Sequence, residues 1–350
     1  MQQAAPILSV HAVSRRFGKV AALDKVSLDI KQAEIVCLVG HSGCGKSTLL
    51  RVIAGIEDID GGRVVLDGEQ VCGDGVFVEP EHRSVGFMLQ DYALFPHMTA
   101  RQNIGFGLKK LSRGEAAIRV EDIIERLGLA PLANRYPHML SGGEQQRIAL
   151  ARTLAPRPSI LLMDEPFSNL DRGLRDDIRA ETLSLLRGLG TTAIVVTHDP
   201  EEALAIGDKV VLMHRGAVIE AGTGEAIYGA PHTAYAAGFF SQVNHIPAQR
   251  KGDWLETPLG RISAPALPGP VDVFVRPRAL TMSADGVPAR ILSRKLLGEI
   301  EEWNFELEGL ARPLVMRTTA RLDVAPGAIV RISMDPSDFI VIPTGKQPQV

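Results

Sequence analysis

Apolar and polar positions alternate along residues 7–39 in short β-prone runs, at 7–13, 26–30 and 34–39, separated by turn signals. The spacing then changes. Leu49, Leu50 and Ile53 recur at helical intervals until Gly55 stops them. Residues 61–71 return to a strand pair with Asp67-Gly68 as its hairpin turn, and 84–90 predict a further strand ending on Gln90. Helical periodicity takes over at 101–111 and 115–127, the latter with Ile118, Ile123, Ile124 and Leu127 assigned to one face. This insert breaks the β/α alternation until about Pro137. Next come a helix from 141 to about 155 and an apolar strand at 159–165 that ends in two acids. A helix reaching Gly188, with Leu170, Leu174 and Ile178 in register, precedes a strand at 193–196. Strands at 209–214 and 217–221 close the region, and a helix around 233–242 leads out of it. Beyond Val243 proline and glycine rise. Short runs at 271–275, 289–292, 300–307, 314–317, 329–333 and 339–342 predict a small β-barrel or sandwich.

The chemistry concentrates at the turns of this pattern. Gly40, His41, Ser42, Gly43, Cys44, Gly45, Lys46, Ser47 and Thr48 fit G-x-x-x-x-G-K-[ST] between a strand and a helix. Glycines let successive backbone N–H groups converge on an anion, and the helix N-terminus adds partial positive charge. Lys46 is spaced to reach the β- and γ-phosphates of a nucleotide, and the Ser47 hydroxyl to ligate Mg²⁺. Asp164 and Glu165 end a buried strand, where ligands bind in open α/β sheets, and His198 ends the next one. Ser141 and Glu144 make a capping-box pattern. Yet Gly142 and Gly143 within that first turn cost about 1 kcal/mol each relative to Ala, which points to close backbone approach by something else. Phe17, an aromatic before Gly18 on a polar turn, is a candidate for stacking on a base.

Composition narrows the partners. At 350 residues two domains are expected. A net charge of −3, with acidic and basic residues nearly balanced between Arg250 and Lys346, argues against nucleic acid. Cys37, Cys44 and Cys72 are odd in number and irregularly spaced, which fits a reducing compartment without a disulfide framework or zinc site. No apolar run approaches the ~18–20 residues of a membrane helix. Residues 1–13 lack the layout of a signal peptide, so a cytoplasmic location is expected.

Taken in order, the loop at 40–48, Gln90, residues 140–145, Asp164-Glu165, residues 168–171 and His198 resemble an ABC-transporter ATP-binding subunit. The resemblance is to the importer group for ferric iron, sulfate, polyamines or sugars, and nearest to ferric-iron importers. It implies an α/β P-loop ATPase domain over 1–242, with a helical subdomain at about 91–155, then an all-β OB-like regulatory domain over 243–350. It further implies that Phe17 stacks on adenine while Gly40, Ser42, Gly43, Cys44, Gly45, Lys46, Ser47 and Thr48 hold the phosphates. Ser47, Gln90 and Asp164 would hold Mg²⁺. Glu165 would be the general base, with His198, Lys46 and Gln90 completing the catalytic set.

By the same resemblance Ser141, Gly142, Gly143 and Gln145 would cover the ATP of a partner copy, and Asp171 would join the two copies. The family's arrangement is a head-to-tail homodimer around two Mg-ATP, peripheral on the inner face of the membrane. Its partners are two integral-membrane permease subunits and, indirectly, an extracytoplasmic solute-binding protein, with no nucleic acid. Residues 91–98 and the helical insert would dock on the permeases. The implied solute is ferric iron, with sulfate, polyamine or sugar as alternatives. A soluble ABC ATPase acting on nucleic acid or the ribosome is the competing class. Departures from the family pattern are His41, Asn169, and Glu144 where Gln is commoner. A carboxylate facing a γ-phosphate would be repelled, so Glu144 is expected to turn back toward its own helix start.

Overall fold

A computed structural model describes residues 5–168, 172–263 and 269–344. Contacts divide the chain into two compact units, Met1–Gly224 and Glu225–Val350. In the first unit β1 (Leu8–Phe17) pairs antiparallel with β2 (Val20–Ile30), and β3 (Ile35–Val39) runs into α1 (Lys46–Ala54). Helix α1 stops where Gly55 turns left-handed, at φ 81°. β4 (Gly61–Leu66) and β5 (Glu69–Gly73) meet at the expected hairpin, where Asp67 and Gly68 both have positive φ, and β6 (Val76–Phe77) extends that sheet. β7 (Val85–Met88) precedes the helical insert of α2 (Ala100–Gly105), α3 (Arg113–Arg126) and α4 (Gly142–Leu154). β8 (Ile160–Asp164), α5 (Arg172–Gly188), β9 (Ala193–Thr197), α6 (Pro200–Ile206), β10 (Lys209–His214) and β11 (Ala217–Gly222) complete the unit.

The central sheet has the order β11-β10-β3-β9-β8-β7, parallel except for the edge strand β11. Alternate side chains leave its two faces. Ile160, Leu162, Ile194 and Val196 pack with Leu49, Leu50 and Ile53 of α1, under the antiparallel sheet β2-β1-β4-β5-β6. Leu161, Met163, Ala193 and Val195 pack with Ile148 and Ala149 of α4 and Leu186 of α5. Burial on both faces explains why these strands read as continuous apolar runs. Each fully buried Leu or Ile there contributes about 1.5–3 kcal/mol.

All three helices of the insert begin with a capping box, from Thr99 and Gln102, Ser112 and Glu115, and Ser141 and Glu144. Two expectations are corrected here. Ile118 is 73% exposed. The packed face of α3 is Val120, Ile123, Ile124 and Leu127. Ile118 lies five positions before Ile123, about 140° around a helix of 3.6 residues per turn. The helix expected over 101–111 ends at Gly105 and tightens into a 3₁₀ turn at Phe106–Leu108, where Gly105 and Gly107 weaken helix propagation.

The second unit opens with α7 (Gly224–Gly229) and α8 (Ala234–Phe240). β12 (Asn244–Ile246), β13 (Gln249–Lys251), β14 (Trp254–Thr257), β15 (Gly260–Ser263) and β16 (Val271–Val275) follow. β17 (Leu280–Leu297), β18 (Ile300–Glu306), β19 (Leu314–Thr318), β20 (Ile329–Met334) and β21 (Phe339–Pro343) complete it. The strands form three sheets, β12-β16-β21, β13-β14-β15 and β19-β18-β17-β20, consistent with the expected OB-like all-β domain. Trp303, Phe305, Ile291 and Leu314 centre its core. Strands β13 to β15 and the outer part of β17 were not legible in the sequence. Gln249, Arg250 and Lys251 are all exposed, as are residues 292–297, so no alternating pattern marks them. Among the described residues no helix is long and apolar enough to cross a membrane.

Candidate ATP-binding and hydrolysis site

Four adjacent parallel strands deliver the motif residues to one edge. The glycine loop follows β3, His198 follows β9, Asp164 and Glu165 end β8, and Gln90 follows β7. In the chain these motifs come in the order β3, β7, β8, β9, so the sheet's crossovers assemble them. Within the loop Gly40, Gly43 and Gly45 have φ of 154°, 81° and 106°. A Cβ on Gly40 would overlap the Met213 carbonyl, and one on Gly45 the Ala22 carbonyl, so both positions admit glycine alone. Lys46 is buried, and its Nζ donates to the carbonyls of Gly40 at 2.6 Å and His41 at 3.2 Å. The lysine thus holds the loop curled around its own ammonium. Cys44 lies beside it, its Sγ 3.7 Å from Nζ.

Ser47 Oγ donates to Asp164 Oδ1 at 3.2 Å. Burial pushes the Asp164 carboxyl above the usual aspartate range; the Ser47 hydrogen bond opposes this, and the adjoining Glu165 adds to it. A partly desolvated carboxylate beside a second one, with a neutral hydroxyl as partner, fits a divalent cation. Ser47, Asp164 and Gln90 would supply the all-oxygen set that Mg²⁺ takes. Glu165 itself has φ 47°, a conformation that costs a non-glycine residue roughly 1–3 kcal/mol. Its N–H donates to the Val196 carbonyl at 3.1 Å, and its carbonyl accepts from the Ser168 N–H and hydroxyl at 3.2 and 2.9 Å. The strained backbone aims Glu165 Oε1 at His198 Nδ1, 3.0 Å away. This bond engages Nδ1 and leaves Nε2 as the ring's other hydrogen-bonding atom. Gln90 Nε2 reaches Ser168 Oγ at 3.4 Å, linking β7 to the same turn.

Residues 23–168 match the family described as ABC transporter. The sulfate/thiosulfate import ATP-binding protein CysA 2 of Chromobacterium violaceum is 41% identical over 335 residues, covering 94% of this chain and 88% of the relative. The chain belongs to the ABC transporter family. Its relatives include the Fe(3+) ions import ATP-binding protein FbpC of Streptomyces coelicolor, 39% identical over 96% of this chain and 97% of the relative. Among solved structures, the dimeric post-hydrolysis ATP-binding cassette MJ0796 bound to ADP and Pi matches with a TM-score of 0.52 and 30% identity. That match covers 62% of this chain and 98% of the other. The protein is therefore an ABC-type ATPase of the importer group, and ATP is its nucleotide.

In this ABC ATPase the remaining motif residues fall into two places. Phe17 ends β1 and is 47% exposed, with the Arg15 guanidinium 5.0 Å from its ring centroid. Ser141, Gly142, Gly143 and Gln145 open α4. Glu144 turns back as expected, accepting from the Ser141 N–H at 2.7 Å and hydroxyl at 2.9 Å, and these bonds hold it below the usual carboxylate range. Gln145 Nε2 donates to the carbonyls of Pro137 and Leu140, fixing the chain just ahead of the helix. Among the described residues no hydrogen bond or ion pair joins this helix start to the glycine loop. Asn169, Leu170 and Asp171 lie outside the described residues. No local pattern marks the residues that hold the Gln90 segment. Arg152 donates to the carbonyls of Tyr92 and Ala93, and Asn103 to those of Phe95, Met98 and Thr99. A basic residue in a helix's last turn reads as a partner of the helix dipole, and nothing local reveals a contact some sixty residues away.

Proposed function

We propose that this ATPase closes as a head-to-tail homodimer around two Mg-ATP and powers solute uptake through two permease subunits on the inner face of the membrane. The observation that carries the reading is the strained Glu165 turn, which sets a carboxylate between Asp164 and His198 at the strand ends that bear the glycine loop and Gln90. Phe17 would stack on the adenine, and residues 40–48 would cradle the phosphates. Lys46 would exchange the Gly40 and His41 carbonyls for phosphate oxygens. Ser47, Asp164 and Gln90 would hold Mg²⁺, which when bound neutralises charge on the β- and γ-phosphates. Glu165 would take the proton of the attacking water, and His198 would orient that carboxylate and face the γ-phosphate. Phosphoryl transfer is mainly positioning and charge neutralisation, and these residues supply both.

The lid comes from a second copy. Ser141, Gly142, Gly143 and Gln145 present a helix N-terminus, a natural anion site, with no bond to their own glycine loop. The dimeric cassette bound to ADP and Pi supports this arrangement, and the Asp171 turn would take part in the contact. We take 1–242 as the ATPase domain, with 91–155 as its helical subdomain, and 243–350 as the regulatory domain. Residues 91–98 and the helical insert would dock on the permeases, and an extracytoplasmic binding protein would deliver the solute. The cytoplasmic location follows from these partners.

Glu165→Gln tests the chemistry. It should bind ATP as tightly as the parent, lose about 10²–10⁴-fold in turnover, and accumulate as an ATP-held dimer in size-exclusion chromatography. Turnover at the normal rate would remove Glu165 from the role of base. For the solute we favour ferric iron, because that relative matches over 96% of this chain and 97% of its own length. Sulfate is the second reading, favoured by the slightly higher identity of that relative. Uptake of iron(III) and of sulfate by a deletion strain separates them: the strain should fail on iron(III) and grow normally on sulfate.

A further inference from the structure

The segment after Gln90 is fastened to the helix that begins with Ser141. Arg152, in the last turn of α4, donates from one guanidinium nitrogen to the Ala93 carbonyl and from the other to the Tyr92 carbonyl, each at 2.7 Å. Its guanidinium also lies 5.6 Å from the Phe95 ring centroid. Tyr92 and Ala93 are both left-handed, with φ of 57° and 46°, a pair that persists only where its surroundings impose it. The Tyr92 side chain is buried, and its hydroxyl donates to the Pro166 carbonyl at 3.3 Å. Pro166 follows Glu165 directly.

We propose that Arg152 and Tyr92 form a relay that couples the position of α4 to the turn bearing Glu165, which makes Arg152 a positioning residue for hydrolysis. The proposal rests on the reading of Glu165 as base and of Ser141 as the contact to a partner's ATP. Helix α4 carries Ser141 at one end and Arg152 near the other, and a helix of that length moves as one body. Seating Ser141 on a γ-phosphate therefore displaces Arg152. Its two hydrogen bonds carry Tyr92 and Ala93 along, and the Tyr92 hydroxyl carries the displacement to Pro166. The loop does not absorb the motion, because buried Asn103 pins its far side: it accepts from the Phe95 N–H and donates to the carbonyls of Phe95, Met98 and Thr99. The alternative role for Arg152, neutralising the C-terminal carbonyls of its own helix, does not account for a guanidinium bonded to two carbonyls outside it.

The test uses the full chain and ATP. Arg152→Gln should lower kcat about tenfold or more while KM for ATP stays within about twofold, the split expected when an interaction matters only in the transition state. The thermal midpoint should stay close to that of the parent. Arg152→Lys, which keeps the charge but reaches one carbonyl, should give an intermediate kcat. Tyr92→Phe should lower kcat in the same direction. The double variant should be no slower than Arg152→Gln alone, because both break one chain of contacts. In Arg152→Gln the Ser168 amide, bonded to the Glu165 carbonyl, should exchange its hydrogen faster. Unchanged kcat in Arg152→Gln, or effects of the two substitutions that simply multiply, would overturn the relay. So would a fall in kcat matched by a rise in KM and a lower thermal midpoint, which marks a merely structural arginine. An error in the base assignment shows separately, as normal turnover by Glu165→Gln.

Discussion

Gln146 lies on α4 with both polar atoms of its amide buried and, among the described residues, without a hydrogen-bond partner. An unsatisfied buried amide costs more than an apolar group of the same shape, so Gln146→Met should stabilise the chain by about 1 kcal/mol in urea denaturation. A loss of stability would mean that the amide has a partner in solution. Glu144 makes a contrasting case on the same helix. Its carboxylate accepts from the Ser141 N–H and hydroxyl, and these bonds lower its pKa. A carboxyl with a depressed folded pKa adds stability above its unfolded pKa and loses it as pH falls through the folded value. Glu144→Gln should therefore cost about 0.3–1 kcal/mol at neutral pH, with the difference vanishing in acid, as read from thermal midpoints across pH. Glu144, Lys46 and the loop glycines were legible because their bonds are local. Arg152, Tyr92 and Asn103 were not, since their partners are fixed by folding rather than by spacing.

Helix α1 shows the same division for a whole element. Its start is written in the glycine loop and its stop in Gly55. What holds its C-terminal end is Arg83, buried, whose guanidinium donates to the carbonyls of Val52, Ile53, Val71 and Val78. Arg83→Met would take a donor from four carbonyls, of which those of Val52 and Val71 keep the N–H groups of Gly55 and Val78. It should cost about 2–4 kcal/mol in denaturant, with weaker nucleotide binding as the helix loosens. The strands of the central sheet were predicted because burial on both faces leaves unbroken apolar runs. β13 and the outer part of β17 are exposed throughout, while β14 and β15 each bury one apolar residue, Leu255 and Ile262, too few to set a period.

For the whole molecule, each unit has its own core, one set built on the two faces of the parallel sheet and the other around Trp303 and Phe305. Both tryptophans, Trp254 and Trp303, belong to the second unit, the one exposed and the other buried. Tryptophan fluorescence therefore reports that unit alone. Saturating Mg-ATP with Glu165→Gln should raise the far-ultraviolet circular dichroism midpoint, by about 2.7 kcal/mol of binding linkage at a hundred times Kd, and move the tryptophan transition much less. Removing magnesium with a chelator should abolish the shift. The sequence by itself determined which residues can carry the chemistry, because a glycine loop, a lysine and strand-end acids are local requirements of holding a phosphate. It also determined where strands and helices form wherever burial is one-sided or complete. Only the tertiary structure decided that β9 lies between β3 and β8, which brings His198 to Glu165. It alone decided that α4 is tied to the segment after Gln90. The reason is physical: strand order and side-chain reach come from the packing of the whole chain, which no stretch of residues contains.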